Sequence, residues 1–198
     1  MIRQITFVAL VGVICLNIAV SQEVVVYKTA VVALVEDPAV RADFEEGLAA
    51  KFREHNYDSM PTYNLVPDIT GVDDAGFAQR LAEEGIKAIL MLRPAAIGAG
   101  STLESVRDEV SPEIYSDIEA FAGEISASGG KDLFAVVHMA IYLITENGAE
   151  LISAGASWLE EEAESREQGI EQLQNLIVDV VNKTRPLLRQ HLGLAPLE

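Results

Sequence analysis

The sequence predicts an α/β fold: a mixed sheet of βαβαβ plus an antiparallel hairpin, in order 2-1-3-4-5, packed by helices in two or three layers. Three observations predict it. Short apolar, β-branched runs alternate with stretches whose apolar residues recur every three to four positions. Strands alternating with helices imply parallel pairing through right-handed crossovers. Later, Asn147-Gly148 separates two long apolar runs, the strongest short-range signal for a hairpin.

The first strand is Thr29 to Val35, with Val24-Val25-Val26 as a backward extension. Glu36-Asp37-Pro38 ends it. Asp37 suits a helix N-cap and Pro38 a first helical residue. Val40, Phe44, Leu48 and Phe52 then mark the inner stripe of a helix running to about His55. Tyr57 to Leu65 reads as a second strand, kept short or at an edge by Pro61. Pro67 to Gly71 is a loop. Asp73 or Asp74 caps a second helix, with Phe77, Ala78, Leu81 and Ala82 inward and Gly85 closing it. Ile86 to Leu92 is the third strand.

Residues 94–131 interrupt this alternation as an inserted loop-helix segment. Pro94 to Thr102 reads as loop. Ser111-Pro112-Glu113 starts a helix with Ile114, Ile118, Phe121 and Ile125 inward, and Ser126 to Gly130 is a second link. Leu133 to Thr145 is a long strand, Asn147-Gly148 a type I′ turn, and Glu150 to Leu159 the return strand. The acidic run Glu160, Glu161, Glu162 and Glu164 suits a helix N-terminus. Ile170, Leu173, Ile177, Val180 and Thr184 line the last helix. Pro186 ends or kinks it, and Leu187 to Leu194 forms a capping turn.

The N-terminus addresses the chain for export. Arg3 precedes a nearly unbroken apolar run from Ile5 to Val20, and Ala19 and Ser21 occupy the −3 and −1 positions of a cleavage site. The expected organisation is a signal peptide over 1–21 and a single domain over 22–198, periplasmic or secreted, with no transmembrane span after cleavage. The single cysteine, Cys15, falls inside the apolar run. Ile14 before it makes a poor lipidation signal, so a lipid anchor at Cys15 is the lesser expectation. The mature chain then carries no cysteine, hence no disulfide, thiolate metal site or cysteine nucleophile. The formal net charge is −17. Such acidity argues against nucleic acid and anionic lipid surfaces, which both need clustered Lys and Arg.

The segment KTAVVALVEDPAVRADFEEGLAAKFREHNYDSMPTYNLVPD, residues 28–68, resembles the opening of a family of bacterial envelope proteins, many of them lipoproteins. GIKAILMLR, the Asn-Gly hairpin and the helix after Trp158 match the same layout. The layout is also similar to the N-terminal domain of TolB-type periplasmic proteins, and to the lipoprotein activators of penicillin-binding proteins. The resemblance implies an interaction domain without catalytic activity, and it supplies no catalytic residues. Cys15 departs from it, because Ile14 does not favour the lipidation typical of these relatives.

Candidate chemistry centres on the hairpin. A two-residue Asn147-Gly148 turn would pair Glu146 with Ala149, His138 with Ser157, Ala140 with Gly155 and Tyr142 with Ser153. One sheet face would then carry His138, Tyr142, Ser153 and Ser157 as a ligand-binding set, with His138 as base or donor. Val137, Met139, Ile141 and Leu143 would face Trp158, Ala156, Ala154 and Ile152 as core, and Trp158 would anchor the last helix. A flat cross-strand Ser–His pair lacks the exposed elbow and oxyanion donors of a nucleophile. It reads before that as a sheet face whose small residues admit the inserted helix, with His138 and Tyr142 satisfied by side-chain partners.

Other motifs read as structure. Gly98 to Thr102 has no P-loop lysine and no G-x-G-x-x-G, so it is not a phosphate cradle. Asp68, Asp73 and Asp74 do not fit a calcium loop. His55, His138 and His191 lack zinc spacing. No catalytic residue, cofactor or metal is therefore expected. The leading functional expectation is a non-enzymatic envelope domain that binds another protein as an accessory or assembly factor. The alternative is a small-ligand binder or minor hydrolase using the His138, Tyr142 and Ser157 face. A homo-oligomer through the edge of the second strand or the hairpin stays open.

Overall fold

The computed structural model describes residues 27–68, 75–120, 133–159 and 163–191. The expected signal peptide, Val24 to Val26, Asp73, Asp74, Phe121, Ile125 and Glu160 to Glu162 lie outside the described residues. Five strands form one sheet in order β2-β1-β3-β4-β5. They are β1 (Thr29–Ala33), β2 (Ser59–Pro61), β3 (Ala88–Ser101), β4 (Leu133–Thr145) and β5 (Gly148–Leu159). β1 runs parallel to β2 and β3, and β4 and β5 are antiparallel additions. The expected order and mixed pairing are both present.

Helix α1 (Pro38–Glu54) begins as its sequence implies. The Asp37 Oδ1 accepts from the Ala39 and Val40 amides at 2.9 and 3.1 Å, and Pro38 opens the first turn without an amide to satisfy. Phe44, Leu48 and Phe52 are buried. The second strand is confined to Ser59–Pro61 at the sheet edge, where Pro61 has no inner ladder to disturb. Helix α2 (Ala75–Glu83) buries Phe77 and Leu81. It stops at Gly85, whose φ of +76° is a conformation that glycine adopts without penalty.

Strand parity divides the core. Val31, Ala33, Leu90, Leu92, Val137 and Met139 face α1 and the last helix, α5 (Arg166–His191). Ala30, Val32 and Ile89 face α2. Further along that second face, Ala95, Val136 and Ala156 pack against Val106, Tyr115 and Ile118. These come from α3 (Leu103–Glu109) and α4 (Pro112–Glu119). The result is three layers, helix–sheet–helix.

Two expectations are corrected here. Pro94 to Ser101 is not loop but the continuation of β3, paired with Val137 through Leu133 of β4. The thirteen residues of β4 demand a long partner, and register shifts after Pro94 and Ile97 accommodate a proline that cannot donate. The interruption therefore narrows to α3, α4 and their links. Thr102 opens α3 with a reciprocal cap to Ser105, a signal the sequence reading passed over. Pro186 does not end the last helix: α5 runs on to His191, so Leu187 to His191 is helical. The proline withdraws one donor, from the bond to the Asn182 carbonyl, and the ladder resumes beyond it. Helix α5 opens at Arg166, just beyond the glutamate run, and the Oγ of the preceding Ser165 accepts from the Gln168 amide at 3.2 Å.

Candidate functional site

The hairpin places the predicted residues differently from a two-residue Asn147-Gly148 turn. Thr145 pairs with Gly148 and Ile144 with Ala149, so Glu146 and Asn147 are the turn residues. Gly148, at φ +113°, comes just after them. The Thr145 hydroxyl stabilises the turn locally: it accepts from the Asn147 amide at 3.2 Å and donates to the Gly148 carbonyl at 3.0 Å. This moves the register by two, which preserves faces. Tyr142 meets Leu151 instead of Ser153.

A bulge then changes the faces. Tyr142 pairs with Leu151 and Ile141 with Ser153, leaving Ile152 as the extra residue. Beyond it His138 pairs with Ala156, and Ser157 with Val137. Ser153 and Ser157 therefore lie on the α1/α5 face, opposite His138. The expected His138–Ser157 pair does not form, and the four predicted site residues do not share a surface. Packing explains the shift. It sets Ser153, Gly155 and Ser157 beneath α5, where small side chains let a helix approach. It sets Ala154 and Ala156 on the other face. Trp158 is likewise corrected: it packs with Val136, Val106 and Ile118, not beneath the last helix.

Each predicted residue has a specific environment. Ser157 is buried, and its hydroxyl lies 3.7 Å from the Met139 sulfur. Ser153 is half-buried at the sheet edge. Tyr142 is half-buried against the α2 cluster. His138 is buried, and its Nε2 is 3.0 Å from the Asp117 Oδ2 of α4. Ser111 caps α4, and Pro112 opens it. Arg93 is the β3 residue in register with His138, on the same face. The arrangement is an imidazole oriented by a carboxylate beneath a covering helix, with the expected serine hydroxyls of Ser153 and Ser157 on the far side of the sheet. Asp117 was not singled out by sequence. Its signal is its place on the second-face helix beside the inward Ile118.

In open α/β sheets ligands bind outside the carboxyl ends of the parallel strands. Here that position, at the ends of β1 and β2, is filled by the chain itself. Glu45 is fully buried and accepts through Oε1 from the Ala33 amide and Arg41 Nε, both at 2.9 Å. Its Oε2 accepts from the Thr62 and Tyr63 amides, both at 2.7 Å. Arg41, also buried, donates onward to the Pro67 carbonyl at 3.3 Å. Every lone pair that a ligand cation or donor could use is occupied.

A second polar region lies at the opposite end of α1. Lys51, Glu54, His55, Asn175 and Asp179 line a cleft between α1 and α5. Tyr57 donates to the Asn182 Oδ1 at 2.9 Å, and the Arg185 guanidinium sits 4.7 Å from the centre of its ring. Burial raises the Tyr57 phenol above its ordinary range, opposed by Arg185. These contacts tie the two helices together. Among the described residues no group of three or more His, Cys, Asp or Glu side chains converges on a metal position, and no helix is long and apolar enough to cross a membrane.

The third feature is the outer edge of β5. No described strand pairs with it. Leu151, just before the bulge, is the one large apolar side chain that the described residues leave well exposed, at 51%. From Asp132 to Ser165 the chain has no Lys, Arg or Pro, and the protection of this edge falls to the bulge at Ile152 and the exposed Glu150.

No family model matches the chain, and no curated protein matches its sequence. Among solved structures, its fold is distantly similar to that of a PelC dodecamer from Paraburkholderia phytofirmans, at 11% identity and a TM-score of 0.43, over 79% of this chain and 87% of that one. It is also distantly similar to lipoprotein GNA1162 from Neisseria meningitidis, at 13% identity and a TM-score of 0.39, over 81% of this chain and 95% of that one.

Proposed function

We propose that this chain is exported and works in the cell envelope as a non-enzymatic protein-interaction domain, an accessory or assembly factor. One observation carries the interaction reading: no described strand pairs with the outer side of β5, and Leu151 at its hairpin end is well exposed. Export rests on the leader anatomy of Arg3, the apolar run from Ile5 and the Ala19-x-Ser21 site. Self-association through the same edge is the form this reading takes if the partner is a second copy.

The test is in-cell crosslinking of the native protein, followed by affinity recovery and mass spectrometry. The expected result is a reproducible envelope partner and an N-terminus at Gln22. Recovery of nothing above background, or an N-terminus at Met1 in a cytoplasmic fraction, would overturn the proposal.

A further inference from the structure

We infer that the step in the sheet where β1 stops beside β3 binds a small aliphatic monocarboxylate on the Arg93 guanidinium, next to His138. The site is separate from the interaction reading above, and neither stands or falls with the other.

Topology makes the step. The chain leaves β1 for β2 on one side and returns to β3 on the other, which puts the switch point of the sheet between β1 and β3. Ligands of open α/β sheets lie in the crevice that such a switch opens at the carboxyl ends of the strands. The β1–β2 side of that end is closed by Glu45 and its partners. On the other side β1 pairs with β3 only as far as Ala33 and Leu92. Leu34 adds one bond, from its amide to the Leu92 carbonyl at 2.8 Å. From Arg93 onward β3 pairs, among the described strands, with β4 alone. Arg93 is thus the first residue past the corner.

Its charge has no partner there. Arg93 is half-buried, and among the described residues no carboxylate, hydroxyl or carbonyl meets its guanidinium. The chain has 31 Asp and Glu against 14 Lys and Arg, so carboxylates are plentiful, yet none is set against this arginine. Its free donors match a carboxylate in a planar, two-point fork. His138 stands in register across from Arg93 on the same face, held through Nε2 by Asp117. Its Nδ1 has no partner among the described residues. No side-chain nitrogen among them is both buried and unpartnered, so Nδ1 meets solvent.

The neighbours select the ligand. Asp117 keeps 37% of its side chain exposed beside the imidazole. A phosphate dianion would set two charges against that carboxylate, and a monocarboxylate sets one. Met91 precedes Arg93 by two on the same strand face, and Leu34 continues β1 opposite it. Both are partly buried apolar side chains, and they offer surface to a short aliphatic chain.

The probe is sodium butyrate, titrated into the purified full chain carrying 15N-labelled histidine, with ionic strength held constant by sodium chloride. The ring signals of His138, assigned by their loss in His138→Gln, are expected to move and saturate. Half-saturation is expected at about 1 mM or below. The His55 signals should stay. Asp117 of α4, Arg93 of β3 and the uncharged Ala156 of β5 face the ring. A bound anion favours the imidazolium, so the titration midpoint of His138 should rise on saturation. Arg93→Gln is expected to weaken binding by about tenfold or more. Arg93→Lys, which keeps the charge and loses the fork, should weaken it by about three- to tenfold. Arg53→Gln, exposed in the last turn of α1, should leave it unchanged.

A movement that sodium chloride alone reproduces, one that never saturates, or one that Arg93→Gln leaves intact would overturn the inference. Where Arg93→Gln unfolds, Arg93→Lys and the His138 midpoint decide: an unchanged affinity with an unmoved midpoint overturns it. Tighter binding of inorganic phosphate than of butyrate overturns the choice of a monocarboxylate.

Discussion

The Arg41 guanidinium and the Glu45 carboxylate meet at 2.9 Å, one helical turn apart and both out of solvent. A buried ion pair is often replaceable by apolar residues at little cost. This one is not a closed pair, because Glu45 also accepts from the amides of Ala33, Thr62 and Tyr63. Glu45→Gln turns a donor group toward those amides and leaves Arg41 uncompensated. It should destabilise the fold by about 3 kcal/mol, read by urea denaturation. The double change Arg41→Leu with Glu45→Leu should do no better, since three amides lose their acceptor. Recovery to near wild-type stability would show that the charge pair alone matters.

The cap on α1 makes a pH prediction. Hydrogen bonds from the Val40 and Ala39 amides hold the Asp37 carboxyl below its ordinary value of 3.8. A folded value below the unfolded one means that the stabilisation is present above the unfolded value. It is lost as pH falls through the folded one. Asp37→Asn keeps a capping oxygen that does not titrate. The stability of the wild type should therefore fall more steeply than that of Asp37→Asn on the acid side of about pH 4. Parallel acid limbs in thermal melts would remove Asp37 from the acid transition.

The bulge at Ile152 predicts which side chains are coupled. A double-mutant cycle of His138→Ala with Asp117→Ala should give a coupling of about 1 kcal/mol, reduced by the partial exposure of Asp117. The cycle of His138→Ala with Ser157→Ala should give nearly none, because the two lie on opposite faces. A sizeable His138–Ser157 coupling would restore the register without a bulge.

The contrast between those two cycles marks what the sequence makes legible. Elements with a local cause were readable. Asp37 and Pro38 start α1, the Phe44–Leu48–Phe52 stripe faces the sheet, Pro61 keeps β2 short, and strand–helix alternation leads to the observed order. What escaped depends on distant partners. One extra residue in β5 reverses every face beyond it, and nothing at the Asn147-Gly148 turn announces it. Pro94 reads as a strand breaker until β4 is seen to need a partner there. Arg41 and Glu45 have the spacing of any i, i+4 pair on a helix, and nothing local to them announces the arrival of Thr62 and Tyr63 that buries them. The shared face expected for His138, Tyr142, Ser153 and Ser157 was lost where the register changed. The exposed Leu151 was legible only in part: residues 132–165 hold no Lys, Arg or Pro, but the bulge beside it is not visible in the composition.

Gly47 tests how closely α1 and α5 approach. In an exposed helix, replacing glycine by alanine gains about 1 kcal/mol. Here an added Cβ would meet the side-chain amide of Gln174, which is buried and donates to the Phe44 carbonyl at 3.1 Å. The Gln174 side chain is flexible, so it can move, but moving it breaks that bond and strands a buried amide at a cost of about 1–3 kcal/mol. The loss outweighs the helix-propensity gain, so Gly47→Ala should lower stability by about 1 kcal/mol in urea denaturation. Adding Gln174→Ala removes the obstructing group and its unmet donor, and should recover most of that loss. A stabilising Gly47→Ala would mean that α5 stands further from α1 than the Gln174–Phe44 bond requires.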